Sequence, residues 1–107
     1  MNYTSLLQEK RLTILLSGDI DHHAAKEIME SVSAKIRVYL PQICELDFSG
    51  VTFMDSSGIA LVIHALRGMN QLGGTLRLTN VPPQPRKVLL ASGIQKLVPL
   101  NQERSPA

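Results

Sequence analysis

Tryptophan is absent, cysteine occurs once, and aromatic residues make up only 4% of the 107 residues. The lone Cys44 excludes an internal disulfide and any zinc site built on several cysteines. It lies in an apolar stretch, which predicts a buried structural thiol and not a reactive nucleophile. So few aromatics leave few platforms for stacking bases. The basic residues are scattered and the formal net charge is only +2, which argues against a nucleic-acid partner. No apolar run is long enough to span a membrane. Met1 to Lys10 lacks the basic start and apolar stretch of a signal peptide, so a cytoplasmic protein is expected. No glycine-rich run ends in Gly-Lys-Ser or Gly-Lys-Thr, so no nucleotide-binding loop and no cofactor are expected.

What is present suffices for one domain. A chain of this length with 44% hydrophobic residues can bury a core without staples. Residues 1–100 read as that domain, and 101–107 as a short polar tail. Tyr3 to Gln8 reads as an edge strand, Glu9-Lys10 as a turn, and Arg11 to Ser17 as a more buried strand. Gly18-Asp19 then breaks the pattern. Asp21 has the chemistry of a helix N-cap, and Ala25, Ile28, Met29, Val32 and Ile36 recur at spacings of three and four on one helical face. Pro41 closes that region.

Ile43 to Phe48 reads as a strand, Ser49-Gly50 as a turn, and Val51 to Met54 as a short apolar run. A second helix follows on Ile59, Val62, Ile63, Leu66 and Met69, stopped by Gly73-Gly74. Thr75 to Val81 alternates as a strand. Pro82-Pro83 reads as a loop and Pro85 as part of a third helix's first turn, with Val88, Leu89 and Leu90 inward and Ser92-Gly93 ending it. Leu97 to Leu100 reads as a last short strand. The alternation predicts an α/β fold, with helices packed on a mixed, mostly parallel sheet of four to five strands. With no exposed heptad and no long unpaired apolar face, a monomer is expected.

The most informative segment is Phe53-Met54-Asp55-Ser56-Ser57-Gly58, where a strand hands over to a helix. Physics alone reads it as a helix start capped by Ser56 or Ser57. The same place tolerates negative charge, so a phosphate on Ser56 could sit there without unfolding the domain. A hydrolase is disfavoured: Asp55 and Ile59 stand where a nucleophile elbow centred on Ser57 needs glycine, and no base is local. His22-His23 are adjacent and do not share a helical face, so they chelate poorly and no metal site is expected. His64, inside the second helix, reads as a rim or contact residue.

Several segments resemble one family. Gly18-Asp19-Ile20-Asp21-His22-His23 is similar to the Gly-Glu-Leu-Asp-His-His stretch of sporulation-type anti-sigma factor antagonists, and Phe53 to Gly58 resembles their phosphorylation motif. Gln71-Leu72-Gly73-Gly74 and Ser92-Gly93-Ile94-Gln95-Lys96-Leu97 fall where similar segments occur. The resemblance spans Tyr3 to Leu100 and implies the STAS (SpoIIAA-like) fold. It implies a non-enzymatic switch that binds an anti-sigma factor, itself a serine kinase of the histidine-kinase-like ATPase fold, and so releases a sigma factor for sporulation or stress transcription. Phosphorylation of Ser56 would end binding, and a PP2C-type serine phosphatase would reset it. The implied contact residues are Asp21, His22, Asp55, Ser56, Ser57, Gly58 and Ile59. The alternative use of the same fold is a stand-alone subunit of a stressosome-like scaffold or a lipid-asymmetry transporter. Asp19 stands where glutamate is commoner, the sequence pI of 8.9 is basic for such a protein, and the segment after Leu100 is too short for the fourth helix of sporulation-type members.

Overall fold

Alternating apolar residues dictate the sheet, and a computed structural model describes residues 2–101 of it and its helices. Strand β1 (Tyr3–Gln8) turns through Glu9-Lys10 into β2 (Arg11–Ile20). Helix α1 (His22–Tyr39), strand β3 (Ile43–Met54), helix α2 (Ser57–Leu72) and strand β4 (Thr75–Thr79) follow. Helix α3 (Pro83–Ser92), a 3₁₀ turn (Ile94–Lys96) and strand β5 (Leu100–Asn101) complete the order. The strands lie in the sheet in chain order, β1-β2-β3-β4-β5. β1 pairs antiparallel with β2, and every other pair is parallel.

That order has a consequence for layering. Each crossover moves one strand in the same direction, and right-handed crossovers then put all the helices on one face. Burial agrees. Leu12, Ile14, Leu16, Cys44, Leu46, Phe48, Leu76 and Leu78 point to a core closed by Ile28, Val32 and Ile36 of α1, Leu61, Val62 and Met69 of α2, and Leu89 of α3. Each fully buried aliphatic side chain of this kind contributes roughly 1.5–3 kcal/mol. Leu6 and Leu15, on the opposite face, are 53% and 41% exposed. No helix among the described residues is long and apolar enough to cross a membrane.

The helix ends follow the expected chemistry. Gly73 and Gly93 take left-handed φ angles of 73° and 80° at the ends of α2 and α3. α1 ends instead on Leu40 in the left-handed region, just before Pro41. Other boundaries differ from the sequence reading. Gly18-Asp19 does not end its strand, and Ser49-Gly50 is not a turn. Both lie inside long paired strands, in a ladder where β3 carries an extra residue between Asp47 and Gly50 and another between Val51 and Phe53. Such bulges break the period of two on which strand reading rests. Gly18 has φ 74°, and a Cβ on Gly50 would stand 2.9 Å from the Leu16 carbonyl oxygen, so these glycines serve the bulges.

Thr75 to Val81 is strand only to Thr79, because Asn80 turns left-handed (φ 54°). Pro83 already belongs to α3, and Leu90 is exposed rather than inward. Leu97 lies outside the last strand, which is Leu100–Asn101. The polar tail beyond Asn101, and with it the question of a fourth helix, lies outside the described residues.

On the uncovered face Glu45 is nonetheless fully buried. Arg11 Nη2 donates to its Oε1 at 2.5 Å, and Thr79 Oγ1 donates to its Oε2 at 2.9 Å. A carboxylate removed from water needs such partners. Beside it in the chain, burial pushes the Cys44 thiol up from the usual 9.0 to about 12, with the Glu45 charge adding to the effect.

The folded thiol therefore keeps a proton that the unfolded chain releases above about pH 9. The unfolded state then binds fewer protons, and stability falls as pH rises from that point toward 12. In urea titrations the wild type is expected to lose stability relative to Cys44→Ala across this window and not below it. Thiol reagents are expected to label Cys44 only in denaturant. A native-state labelling rate near that of a free thiol would contradict the buried assignment.

Candidate functional site

β2 and β3 end together: Ile20 pairs with Met54, and the Asp55 amide donates to the Ile20 carbonyl at 3.2 Å. One residue past this pair, α1 begins from Asp21, and two past it α2 begins from the Asp55-Ser56 turn. Two helix N-termini therefore open side by side at one edge of the sheet. Each has unpaired first-turn amides. An aspartate serves both. Asp21 Oδ1 accepts from the Ala24 amide at 2.9 Å, as its N-cap chemistry predicts. Asp55 Oδ1 accepts from the Ser57 amide at 2.8 Å.

The second bond corrects the sequence reading that a serine side chain caps α2. Ser56 occupies the cap position in a helical conformation (φ −64°, ψ −14°) and makes no side-chain capping bond. Asp55, one residue earlier, closes the turn in the manner of an Asx turn. Ser56 is exposed, and its hydroxyl is not committed to the helix. Its carbonyl accepts from the Ile59 amide at 3.0 Å, so its backbone is fixed while the side chain projects outward.

Neighbouring residues explain the stiffness of the turn. Gly58 is buried, and a Cβ there would come within 2.3 Å of Met54 Sδ and 2.6 Å of its Cγ. Met54 is itself fully buried, so it has little room to yield. Ile59 is partly buried against the core. Gln84, from α3, binds the Met54 main chain twice: its Oε1 accepts from the amide and its Nε2 donates to the carbonyl, both at 2.8 Å. Asp19, near the end of β2, accepts from Thr52 Oγ1 at 2.8 Å and ties the strand ends across.

Between the first turns of the two helices lies a pocket of about 360 Å³, lined by His22, Ala25, Lys26, Met29, Ser57 and Ala60. The structure thus brings His22 and Ser57 together, while Asp21 and Asp55 cap the two helices that form the walls. His23 is an exposed neighbour outside the pocket, and His64 lines a different groove with Arg37 and Arg67. Sequence reasoning missed Lys26, Met29, Ala60 and Gln84. The first three were within reach: Lys26 lies one turn from His22, and Ala60 lies three residues from Ser57, so they share helical faces. Gln84 carries no such signal. Among the described residues, no group of three or more histidine, cysteine, aspartate or glutamate side chains could hold a metal ion.

A half-covered α/β sheet that presents an uncommitted serine at paired helix N-termini defines the class of the domain. The chain belongs to the STAS domain family, which it matches over residues 5–107. It is similar to an anti-sigma F factor antagonist of Lysinibacillus sphaericus, 34% identical over 89 residues that cover 83% of this chain and 76% of that protein. Among solved structures it resembles the anti-sigma factor antagonist SpoIIAA in its unphosphorylated form, with a TM-score of 0.83, 28% identity and coverage of 97% of this chain and 89% of that one. It also resembles the Bacillus cell fate determinant SpoIIAA in the phosphorylated form, with a TM-score of 0.75, 28% identity and coverage of 97% and 92%.

The division of labour in the turn is measurable by chemical or thermal unfolding. Asp55→Ala is expected to destabilise the domain by about 1 kcal/mol through loss of the cap. Gly58→Ala is expected to cost about 1–3 kcal/mol through overpacking against Met54. Ser56→Ala should stay within about 0.5 kcal/mol of wild type, as a surface change does. Equal losses for Ser56→Ala and Asp55→Ala would show that the serine side chain is the cap after all.

Proposed function

We propose that this chain is an anti-sigma factor antagonist switched by phosphorylation of Ser56. The observation that carries the proposal is that Ser56 is exposed and free of capping duty at the N-terminus of a 16-residue helix. A phosphate there adds about −1.5 to −2 charges at neutral pH. The positive end of the helix dipole favours that charge. Asp55 already holds the turn, so the fold does not depend on the hydroxyl that is modified. The modification changes the surface and leaves the domain standing.

In the unphosphorylated form the site docks on an anti-sigma factor, which is also a serine kinase of the histidine-kinase-like ATPase fold, and the sigma factor is released. Sigma-dependent transcription, for sporulation or stress, follows. Asp21, His22, Asp55, Ser56, Ser57 and Ile59 form the contact surface, the buried Gly58 shapes the turn beneath it, and Lys26, Met29 and Ala60 add the pocket wall. The kinase modifies Ser56, and the phosphate meets repulsion and desolvation in the packed interface. A penalty of about 4 kcal/mol weakens binding roughly a thousandfold. A PP2C-type serine phosphatase restores the binding form. The module acts as a cytoplasmic monomer, by binding and without a cofactor. Support comes from the names of its relatives, antagonists of sigma-F and sigma-B regulators, and from the two phosphorylation forms in which SpoIIAA is known.

The test is intact mass after incubation with ATP and the anti-sigma kinase of the same genome. A phosphate-sized gain is expected in wild type and none in Ser56→Ala. Ser56→Glu should lose most kinase affinity, and Asp21→Ala and Ile59→Ala should each weaken it. No gain in wild type, with a kinase active on another substrate, would sink the switch and favour a scaffold or lipid-asymmetry transporter subunit. Unchanged binding in both Asp21→Ala and Ile59→Ala would sink the assigned surface.

A further inference from the structure

The outer edge of β3 has an unusual partner. β4 pairs with β3 only from Ile43 to Asp47, because Asn80 turns the chain away after Thr79. From Phe48 to Met54, β3 therefore has no strand on that side among the described residues. Buried main-chain groups need partners. At Met54 the Gln84 side chain supplies both: one amide donor and one acceptor stand where a strand's backbone would stand. On the other side, the next amide, Asp55 N–H, is held by Ile20 of β2. The main chain is thus gripped from both flanks immediately before the Asp55-Ser56 turn.

The mount of that side chain is stiff. Gln84 is the second residue of α3 and sits between Pro83 and Pro85, with Pro82 preceding. Proline rings fix their own φ, so the backbone on either side of Gln84 has little freedom. The missing proline amides do no harm in a helix's first turn. Pro85 is buried, which anchors the segment to the core. Gln84 is half-buried, so its two bonds are partly shielded from competing water.

We propose that Gln84 is a positioning residue for Ser56: by bracing the Met54 main chain it holds the Asp55-Ser56 turn in the geometry in which the hydroxyl is offered for phosphoryl transfer. This rests on Ser56 being the phosphate acceptor. The two Gln84 bonds go to the Met54 main chain and not to Ser56 itself. It acts through two covalently linked residues. Transfer of a phosphoryl group is governed by placement of the attacking oxygen, and a misplacement near 1 Å costs about a hundredfold.

Two variants separate positioning from general stability. Gln84→Leu keeps the bulk and removes both bonds. Gln84→Glu keeps both bonds only while its carboxyl is protonated, since the ionised form has no donor for the Met54 carbonyl. That carbonyl favours the neutral acid and the Met54 amide the ionised one, so the share that keeps both bonds grows as pH falls. Phosphorylation of wild type and both variants is followed with ATP and the anti-sigma kinase between about pH 5.5 and 8, with a thermal melt of each. For Gln84→Leu we expect kcat to fall about tenfold or more with KM within about threefold. For Gln84→Glu the rate relative to wild type should be low at the alkaline end and rise toward the acidic end. Both variants should still melt cooperatively above the assay temperature, with Gln84→Leu lower than wild type because the Met54 amide and carbonyl lose their partners. Variants that are phosphorylated like wild type at every pH would overturn the proposal, as would a loss confined to KM. Failure of wild type itself to be phosphorylated would overturn the acceptor assignment first, and this role with it.

Discussion

The structure depends on one topological constraint: strands β2 to β5 are parallel and adjacent in chain order, so every helix must start at the same edge of the sheet. Right-handed crossovers then collect the helices on one face. Ile20 and Met54, paired at the ends of their strands, bring the starts of α1 and α2 side by side. Amides with no partner inside their helices converge there. Asp21 and Asp55 satisfy part of that need. The exposed serine, the pocket between the helices and the glutamine brace all follow from this gathering at one edge.

Within that edge, the roles of structure and chemistry are divided between neighbours. Asp55 caps, Gly58 makes room for Met54, and Ser56 does neither. A residue that the fold does not use can be modified without unfolding the domain. A phosphate at Ser56 would meet the amide end of α2, whose first turn carries no acidic residue, with the Asp55 carboxylate beside it. The opposite face follows a different logic, where Glu45 is buried but held by Arg11 and Thr79.

Much of this was legible in the residues. The helical spacing of Ala25, Ile28, Val32 and Ile36, and the alternation around Ile14 and Leu46, pointed to the elements that form. Asp21 was readable as a cap because its position before an apolar helix is diagnostic. Asp55 was misjudged for the same reason, since two hydroxyls stand nearer the helix and are equally good caps. The strand ends failed at Gly18 and Gly50, because a glycine that serves a bulge looks the same as one that ends a strand. Gln84 was invisible, because its bonds reach the main chain 30 residues away and no spacing rule connects them.

The same brace sets an order in time. The sheet is written in the order of synthesis, so each new strand finds its neighbour already made. Such an order allows the sheet to be assembled sequentially from its first strands. Yet the main chain before Ser56 waits for a side chain from α3, 30 residues further along the chain. A nascent chain that has emerged only through α2 carries the serine but not its support. On the proposed roles of Ser56 and Gln84, recognition at Ser56 would report that the domain has been completed through α3, because Gln84 joins the Met54 main chain only then.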